Sequence, residues 1–232
     1  MTATMTIADN ISRIRDEIGE AAVRSGRHPS DITLLAVTKT RAVHEIVEAA
    51  RAGIVHFGEN RVQEAAEKIP SVSDEIVWHM VGPLQSNKAK LAVTLFDWVD
   101  SVHSEKIVDV LASCAEKAGR IIRVLIQVNI SGEETKSGVL PGKARDIAAY
   151  AMGKKELEVR GLMTIGSFGV SRDVTRAEFS RMKDMFDRLR EDAVIGAAMR
   201  ELSMGMSGDY AIAVEEGATM VRIGTAIFGE RS

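Results

Sequence analysis

Eight short apolar runs, each followed by a stretch with helical spacing, constrain this chain more than any other feature of its sequence. Runs of this kind, rich in β-branched residues, are typical of strands buried in a parallel sheet. The predicted strands are Thr33–Val37, Ile54–Phe57, Ile76–Val81, Trp98–Val102, Val124–Val128, Val159–Ile165, Glu201–Met204 and Met220–Ile223. Repeated strand–helix units imply right-handed crossovers. Eight units in 232 residues predict an α/β protein, a single (β/α)₈ TIM barrel domain over residues 1–232.

An additional amphipathic helix is predicted before the first strand. Ile7, Ile11, Ile14 and Ile18 recur at helical spacing and form one apolar stripe. We expect this helix to close the amino-terminal end of the barrel. The alternative architecture is an open, doubly wound sheet, but no Gly-x-Gly-x-x-Gly sequence follows the first predicted strand. The sequence therefore favours the barrel.

Charge and hydropathy argue against two classes of partner. Thirty basic and 33 acidic residues give a formal net charge of −3, which is not typical of a general nucleic-acid-binding surface. No apolar run approaches the roughly 20 residues needed to cross a bilayer, and residues Met1–Asn10 lack the order of a secretory signal. The single cysteine, Cys114, suits a reducing compartment. We expect a cytoplasmic protein that binds neither nucleic acid nor membranes.

Lys39 stands just beyond the first predicted strand, two residues after Val37. In α/β folds, functional side chains gather at the carboxyl ends of the parallel strands. Partial desolvation at such a position lowers the pKa of an amine, and a neutral amine can condense with an aldehyde to form a Schiff base. The alternative is a lysine that extends from the first loop into solvent.

Two glycine-bearing segments, Ser203–Asp209 and Arg222–Thr225, include the ends of the seventh and eighth predicted strands and the residues after them. In barrels, the loops after these two strands frequently bind phosphate. Glycines let the backbone approach an anion closely, and hydroxyl groups add hydrogen-bond donors. The alternative is that the glycines of the first segment only form a turn, and that Ser207 or Asp209 caps the next helix.

A reactive lysine and a phosphate site at one end of a barrel suggest pyridoxal 5′-phosphate as the cofactor. Arg222 then acquires a role. A permanently charged guanidinium near the pyridine nitrogen donates a hydrogen bond and discourages protonation of that nitrogen, which makes the ring a weaker electron sink. The alternative for Arg222 is an ordinary ion pair.

Specific sequence stretches resemble a known family in chain order. They are Leu35–Thr40, Phe57–Glu64, Trp78–Lys88, Lys136–Val139, Gly161–Ile165, Leu202–Asp209 and Val221–Gly229. Through them the chain resembles the pyridoxal phosphate homeostasis proteins across nearly its whole length. The resemblance implies the alanine racemase type of barrel, that is, the pyridoxal phosphate fold type III without the carboxyl-terminal β-domain. It implies seven cofactor-binding residues: Lys39 as the aldimine, Ser203, Gly224 and Thr225 at the phosphate, Arg222 at the ring nitrogen, and Asn60 and Met163 lining the pocket.

The family resemblance also implies a function. It points to a monomeric carrier that holds pyridoxal phosphate and passes it to apoenzymes, without efficient turnover, catalytic residues or a metal. The alternative is an amino-acid racemase that uses the same cofactor and needs a second base, for which Tyr210 is a better candidate than Tyr150. A third alternative, a barrel enzyme acting on a sugar phosphate, leaves Lys39 without an aldehyde.

Three further polar residues carry weaker predictions. Asn60 follows the second strand and either faces the same mouth as Lys39 or caps the next helix. His79 lies inside the third strand, which favours a hydrogen-bonded core histidine over a catalytic base. Lys136 lies in a polar loop and is expected to be exposed.

Overall fold

The computed structural model describes residues 5–72, 75–133 and 136–230, and within them eight parallel strands close into a barrel. The strands are β1 Thr33–Val37, β2 His56–Glu59, β3 Val77–Met80, β4 Trp98–Val102, β5 Ile122–Val128, β6 Leu157–Thr164, β7 Glu201–Ser203 and β8 Met220–Ile223. Each strand pairs with the next along the chain, and β8 pairs with β1. The predicted (β/α)₈ barrel is confirmed. The prediction of one domain over residues 1–232 includes ends that lie outside the described residues.

Helices surround the barrel. Those in the described ranges are α1 Ile7–Arg24, α2 Val43–Arg51, α3 Val62–Lys68, α4 Ala89–Leu95, α5 Glu105–Ala118, α6 Ala144–Met152, α7 Arg172–Arg190, α8 Tyr210–Glu215 and α9 Thr225–Phe228. None of them is both long enough and apolar enough to span a membrane. The main apolar core lies between the helices and the outer face of the strands. Smaller clusters, such as the one formed by Leu35, Val81 and Met220, fill the barrel interior.

Helix α1 lies on the outside of the barrel, so the expectation that it closes the amino-terminal end is wrong. It begins with a capping box in which Thr6 and Asp9 satisfy each other's backbone amides. Its apolar stripe packs against α2, α8 and α9. Helix α9 has only four residues, and α1 completes the outer layer of helices between α8 and α2.

Strand β2 begins at His56 rather than at Ile54, the predicted first residue. The backbone amide of Ile54 donates to the carbonyl of Ala49, and the amide of Gly53 donates to that of Ala50. These two bonds form a Schellman motif at the end of α2, which requires the left-handed conformation that Gly53 adopts at φ +85°. The apolar character of Ile54 therefore belongs to a helix end rather than to a strand.

A chain of polar groups crosses the barrel interior near its amino-terminal end. Asp100 is fully buried and accepts from Nδ1 of His79 at 3.1 Å. The other ring nitrogen of His79, Nε2, lies 3.0 Å from Nδ1 of His56, within hydrogen-bond distance. The ring of His79 also stacks on Trp98, with centroids 5.0 Å apart. His79 is thus a hydrogen-bonded core histidine, as its sequence position indicates.

The stability of the fold is expected to fall between pH 6.5 and pH 4 because of His56. Burial, and next the neighbouring His79, lower the pKa of His56 to about 4. In the unfolded chain this imidazole takes up a proton near pH 6.5. Neutral His56 therefore contributes stability above that pH, and up to about 3 kcal/mol is lost as the pH falls to the folded-state pKa. Urea unfolding at pH 7 and pH 4.5 measures the loss.

The matched variant for this measurement is His56→Gln, which keeps a hydrogen-bond donor beside His79 but does not titrate. Buried carboxylates contribute to the pH dependence of both proteins, so the difference between them isolates His56. An identical loss of stability in the wild-type protein and the variant would contradict the prediction.

Candidate functional site

A cavity of about 510 Å³ opens at the carboxyl ends of the strands, a volume within the range of small-molecule pockets, about 300–1,000 Å³. We call it the mouth cavity. Five of the seven predicted site residues line it: Lys39, Asn60, Arg222, Gly224 and Thr225. A second depression, of about 520 Å³, lies beside α1 near Arg15 and Pro29 and contains none of the predicted residues. The structure therefore brings most of the predicted site together at the mouth.

Lys39 reaches the mouth cavity because of the alternation of side chains along β1. Val37 packs in the barrel interior with Leu35 and Val81. Thr38 is fully buried and bonded to Glu59 of the neighbouring strand, and Lys39 is turned inward again. Its side chain is half-buried. The alternative of a lysine extended from the loop into solvent does not describe this position.

Arg222 is the buried cation of the site. Its Nη1 donates to the hydroxyl of Ser203 and its Nη2 to the carbonyl of Thr164, both at 2.7 Å. Burial lowers the pKa of this guanidinium to about 10, with Asp100 and Asp209 opposing the shift, so it stays charged at neutral pH. Within the described part of the chain no carboxylate lies at ion-pair distance from it, and the ion-pair alternative is not realised.

The loops after β7 and β8 lie side by side. Gly205 has φ +94°, and a Cβ on it would come within 2.5 Å of the Cβ of Ala213. The carboxylate of Asp209 accepts from the amide of Met206 at 2.6 Å and closes the turn. The turn expected as an alternative therefore exists, but no side chain caps α8. The hydroxyl of Ser207 instead accepts from the amide of Ala226 at 3.2 Å, which joins the two loops.

Ser203 and Met163 lie behind the cavity wall. Both are fully buried and neither lines the mouth cavity. Ser203 contacts the site through the hydrogen bond that it accepts from Arg222. Met163 packs inside the barrel against Trp98 and Leu125. Their predicted roles at the phosphate and in the pocket stay predictions.

Asn60 lines the mouth cavity and does not cap α3. The N-cap position of α3 is Arg61, and its side chain makes no capping bond. The backbone of Asn60 lies so close to Gly82 that a Cβ on Gly82 would come within 2.3 Å of the carbonyl oxygen of Asn60. This close approach of the segments after β2 and β3 fixes Asn60 at the rim.

The segment between β6 and α7 forms a wall of the cavity that the sequence did not indicate as a site. Phe168 of this segment lines the cavity and is 76% exposed. The carboxylate of Glu178 fixes the segment by accepting from the amide and the hydroxyl of Ser167. Lys136 donates to Gly166 and Ser167, so the expectation that Lys136 is exposed is wrong. Two glycines, at positions 166 and 169, are the only sequence signal of a tight segment here.

Neither of the chain's two tyrosines lines the mouth cavity. The hydroxyl of Tyr210 donates to the carboxylate of Glu17 on α1. Burial, and then this bond, raise the pKa of Tyr210 to about 12. The hydroxyl of Tyr150 donates to Asp109 at 2.8 Å, on the outer layer of helices. The residue predicted as the better second base therefore faces the outside of the barrel.

The sequence matches the model of the alanine racemase N-terminal domain family over residues 6–232. A pyridoxal phosphate homeostasis protein of Pasteurella multocida is 41% identical over 230 residues, which cover 98% of each chain. A protein of the same name from Escherichia coli is 40% identical over 236 residues, 97% of each chain. The chain belongs to the pyridoxal phosphate homeostasis protein family. The resemblance inferred from its sequence stretches is confirmed.

Solved structures agree with this family membership. A structure described as an unknown protein from Bifidobacterium adolescentis superposes with a TM-score of 0.91 at 37% identity, and the match covers 96% of this chain and 94% of that one. PipY of Synechococcus elongatus, with pyridoxal phosphate bound, superposes with a TM-score of 0.80 at 35% identity. The match covers 97% of this chain and 100% of that one. An alanine racemase of Clostridium difficile superposes with a TM-score of 0.75 at 16% identity. The match covers 94% of this chain and 59% of that one. The last likeness shows the shared barrel alone.

Proposed function

We propose that this member of the pyridoxal phosphate homeostasis family binds pyridoxal 5′-phosphate at the mouth cavity. Lys39 holds it as a Schiff base, and the protein acts as a cytoplasmic monomer that stores the cofactor and supplies it to apoenzymes without efficient turnover. The observation that carries the proposal is the convergence of Lys39, Arg222 and the β7 and β8 loops on one cavity. The cofactor-bound relative adds support.

The groups in the cavity match the three functional groups of pyridoxal phosphate. Lys39 would hold the cofactor through its ε-amine, and the aldehyde would supply the chemistry, a reversible condensation that forms a C=N bond and releases water. The backbone at Gly224 and the hydroxyl of Thr225 bind the phosphate. Arg222, held by Ser203 and Thr164, donates to the pyridine nitrogen. Lys39, the Gly224–Thr225 segment and Arg222 then each bind a different functional group of the cofactor.

The same geometry supports storage over racemisation. A racemase needs a base on each face of the substrate carbon, or a strong electron sink. Both tyrosines are hydrogen-bonded outside the cavity. Arg222 is a cation that opposes a second positive charge on the ring nitrogen. Among the described residues that line the cavity, Asp209 is the acidic one, and its carboxylate accepts a hydrogen bond from the Met206 amide.

Amino acids incubated with the cofactor-loaded protein in heavy water are expected to exchange their α-proton no faster than with free cofactor. The physical reason is that neither tyrosine reaches the cavity from the described part of the chain, and that the ring beside Arg222 is a weak electron sink. Proton NMR of alanine and serine over several hours measures the exchange, and a chiral assay measures inversion.

Fast exchange with inversion that disappears in Lys39→Ala would favour the racemase instead. In that event Tyr210→Phe and Asp209→Asn identify the second base. We expect Tyr210→Phe to behave as the wild-type protein in both assays, because the hydroxyl of Tyr210 is bonded to Glu17 on α1 and does not reach the cavity.

A further inference from the structure

The two residues that flank Lys39 are held from outside the barrel by helix α3. The side chain of Lys68, the last residue of α3, donates from Nζ to the carbonyl of Thr38 at 2.8 Å. Glu64, one turn earlier on α3, accepts from the amide of Thr40. The backbone immediately before and immediately after Lys39 is therefore tied to one helix.

An ion-pair network makes this attachment rigid. Nζ of Lys68 lies 2.9 Å from Oε1 of Glu59 and also pairs with Glu64. The hydroxyl of Thr38 donates to the same Oε1 of Glu59 at 2.7 Å. Lys68 is 8% exposed and Glu59 is 0% exposed. We call Thr38, Glu59, Glu64 and Lys68 the clamp.

Stability alone does not explain a buried network of this kind. Taking a lysine and a carboxylate out of water costs more than their attraction usually returns, and apolar residues of similar size serve a core at least as well. Burial raises the pKa of Glu59, and its Oε2 has no hydrogen-bond partner among the residues that the structure describes. The clamp is thus costly to bury, and its contacts lie on the backbone around Lys39.

The backbone beside Lys39 also needs to be held. Thr40 has φ +64°, the left-handed region that a β-branched residue rarely adopts. Such a conformation is strained and persists where surrounding contacts fix it. The bond from the Thr40 amide to Glu64 is one such contact. It turns the chain directly after Lys39 toward α2.

We propose that Lys68 is a positioning residue for Lys39, acting through the clamp to present the amine of Lys39 to the mouth cavity. Thr38 and Glu59 are on the outer face of the sheet, between β1, β2 and α3, whereas Lys39 lines the cavity. Lys68 therefore acts on the backbone of the reactive residue and does not touch the ligand. The proposal rests on the proposed function, because it assumes that Lys39 reacts with the cofactor.

A positioning residue has a signature that a merely stabilising residue lacks. Covalent reaction requires the attacking nitrogen to approach the aldehyde carbon in a narrow range of geometries, and small misplacements reduce rates strongly. Binding of the ring and phosphate without reaction depends on Arg222 and the β7 and β8 loops. Loss of the clamp is expected to slow Schiff base formation while noncovalent affinity is retained.

The experiment compares four proteins: wild type, Lys68→Met, Lys68→Arg and the control Lys183→Met, which removes a lysine from an outer helix far from the clamp. Stopped-flow absorption measures the rate of Schiff base formation with pyridoxal 5′-phosphate. Titration with pyridoxine 5′-phosphate, which has an alcohol in place of the aldehyde, measures noncovalent affinity. We expect Lys68→Met to react about tenfold slower with unchanged affinity for the alcohol. We expect Lys68→Arg to recover part of the rate and Lys183→Met to match the wild-type protein.

A rate in Lys68→Met equal to that of the wild-type protein, or an equal loss of rate and of affinity for the alcohol, overturns the positioning role. If Lys68→Met does not fold, Lys68→Gln replaces it, since this change removes the charge of Lys68 but keeps a polar side chain beside Glu59; an unchanged rate there overturns the proposal. The absorption trace of the wild-type protein distinguishes a failure of the proposed function from a failure of the positioning inference. Absence of a Schiff base at Lys39 in the wild-type protein refutes the proposed function and the inference with it, whereas wild-type reaction with unaffected variants refutes the inference alone.

Discussion

Replacing Lys39 with alanine is expected to abolish the absorption band of the Schiff base and all borohydride-stable labelling by pyridoxal phosphate. Lys39 supplies the amine that lines the mouth cavity, and an alanine cannot form a C=N bond. We expect the variant to fold, because the side chain of Lys39 is half-buried and does not belong to the apolar core. Spectra before and after reduction, followed by mass mapping of the labelled peptide, provide the measurement.

Lys183→Ala is the control, since it removes a lysine from the outer layer and should leave both band and label intact. Lys136 is the second lysine near the cavity, through its contact with Ser167. A label mapped to Lys136 in the wild-type protein, or a band that persists in Lys39→Ala, would refute the assignment of Lys39.

Pyridoxal without its phosphate is expected to bind at least about a hundredfold more weakly than pyridoxal 5′-phosphate. Two or more charge-assisted hydrogen bonds to the phosphate, each about 1.5–3 kcal/mol, are lost together. The predicted donors are Ser203, the last residue of β7, and Gly224 and Thr225, which follow β8. Equilibrium titration of both ligands, followed by absorption, measures the ratio.

Ser203→Ala combined with Thr225→Val should narrow that ratio by about tenfold, because each removes one hydroxyl donor. The two single variants then apportion the effect, which is of interest since Ser203 lies behind the cavity wall and is bonded to Arg222. Thr94→Val, on the exposed face of α4, is the control and should leave the ratio unchanged. Equal affinities for both ligands in the wild-type protein would exclude these loops as the phosphate anchor.

Local sequence patterns were sufficient to predict the strands and the residues at their carboxyl ends. Lys39, Arg222 and Gly224 could be placed at one mouth because each lies within two residues of the end of a predicted strand, and parallel strands with right-handed crossovers bring their carboxyl ends to one side. The strand bounds of β1, β4 and β8 agree with the predictions to the residue. Strand β2 does not, because an isoleucine is equally suited to a strand and to the hydrophobic end of a Schellman motif.

Contacts between distant parts of the chain decided the rest. Tyr210 and Glu17 are separated by 193 positions, and no local spacing shows that the first helix takes the place beside α8 and draws this hydroxyl out of the site. Lys68 likewise has the sequence context of an ordinary helix end, and only the packing of α3 on β1 and β2 turns it toward Thr38 and Glu59.

By itself, the sequence determined the barrel, the lysine after the first strand and the two glycine loops at the ends of the last strands, since periodicity and chain order are local properties. Only the tertiary structure decided which polar side chains face the cavity, which lie behind its wall and which hold the backbone from outside. The physical reason is that the direction of a side chain depends on helix packing and loop conformation, and these are set by burial and hydrogen bonding across the whole fold.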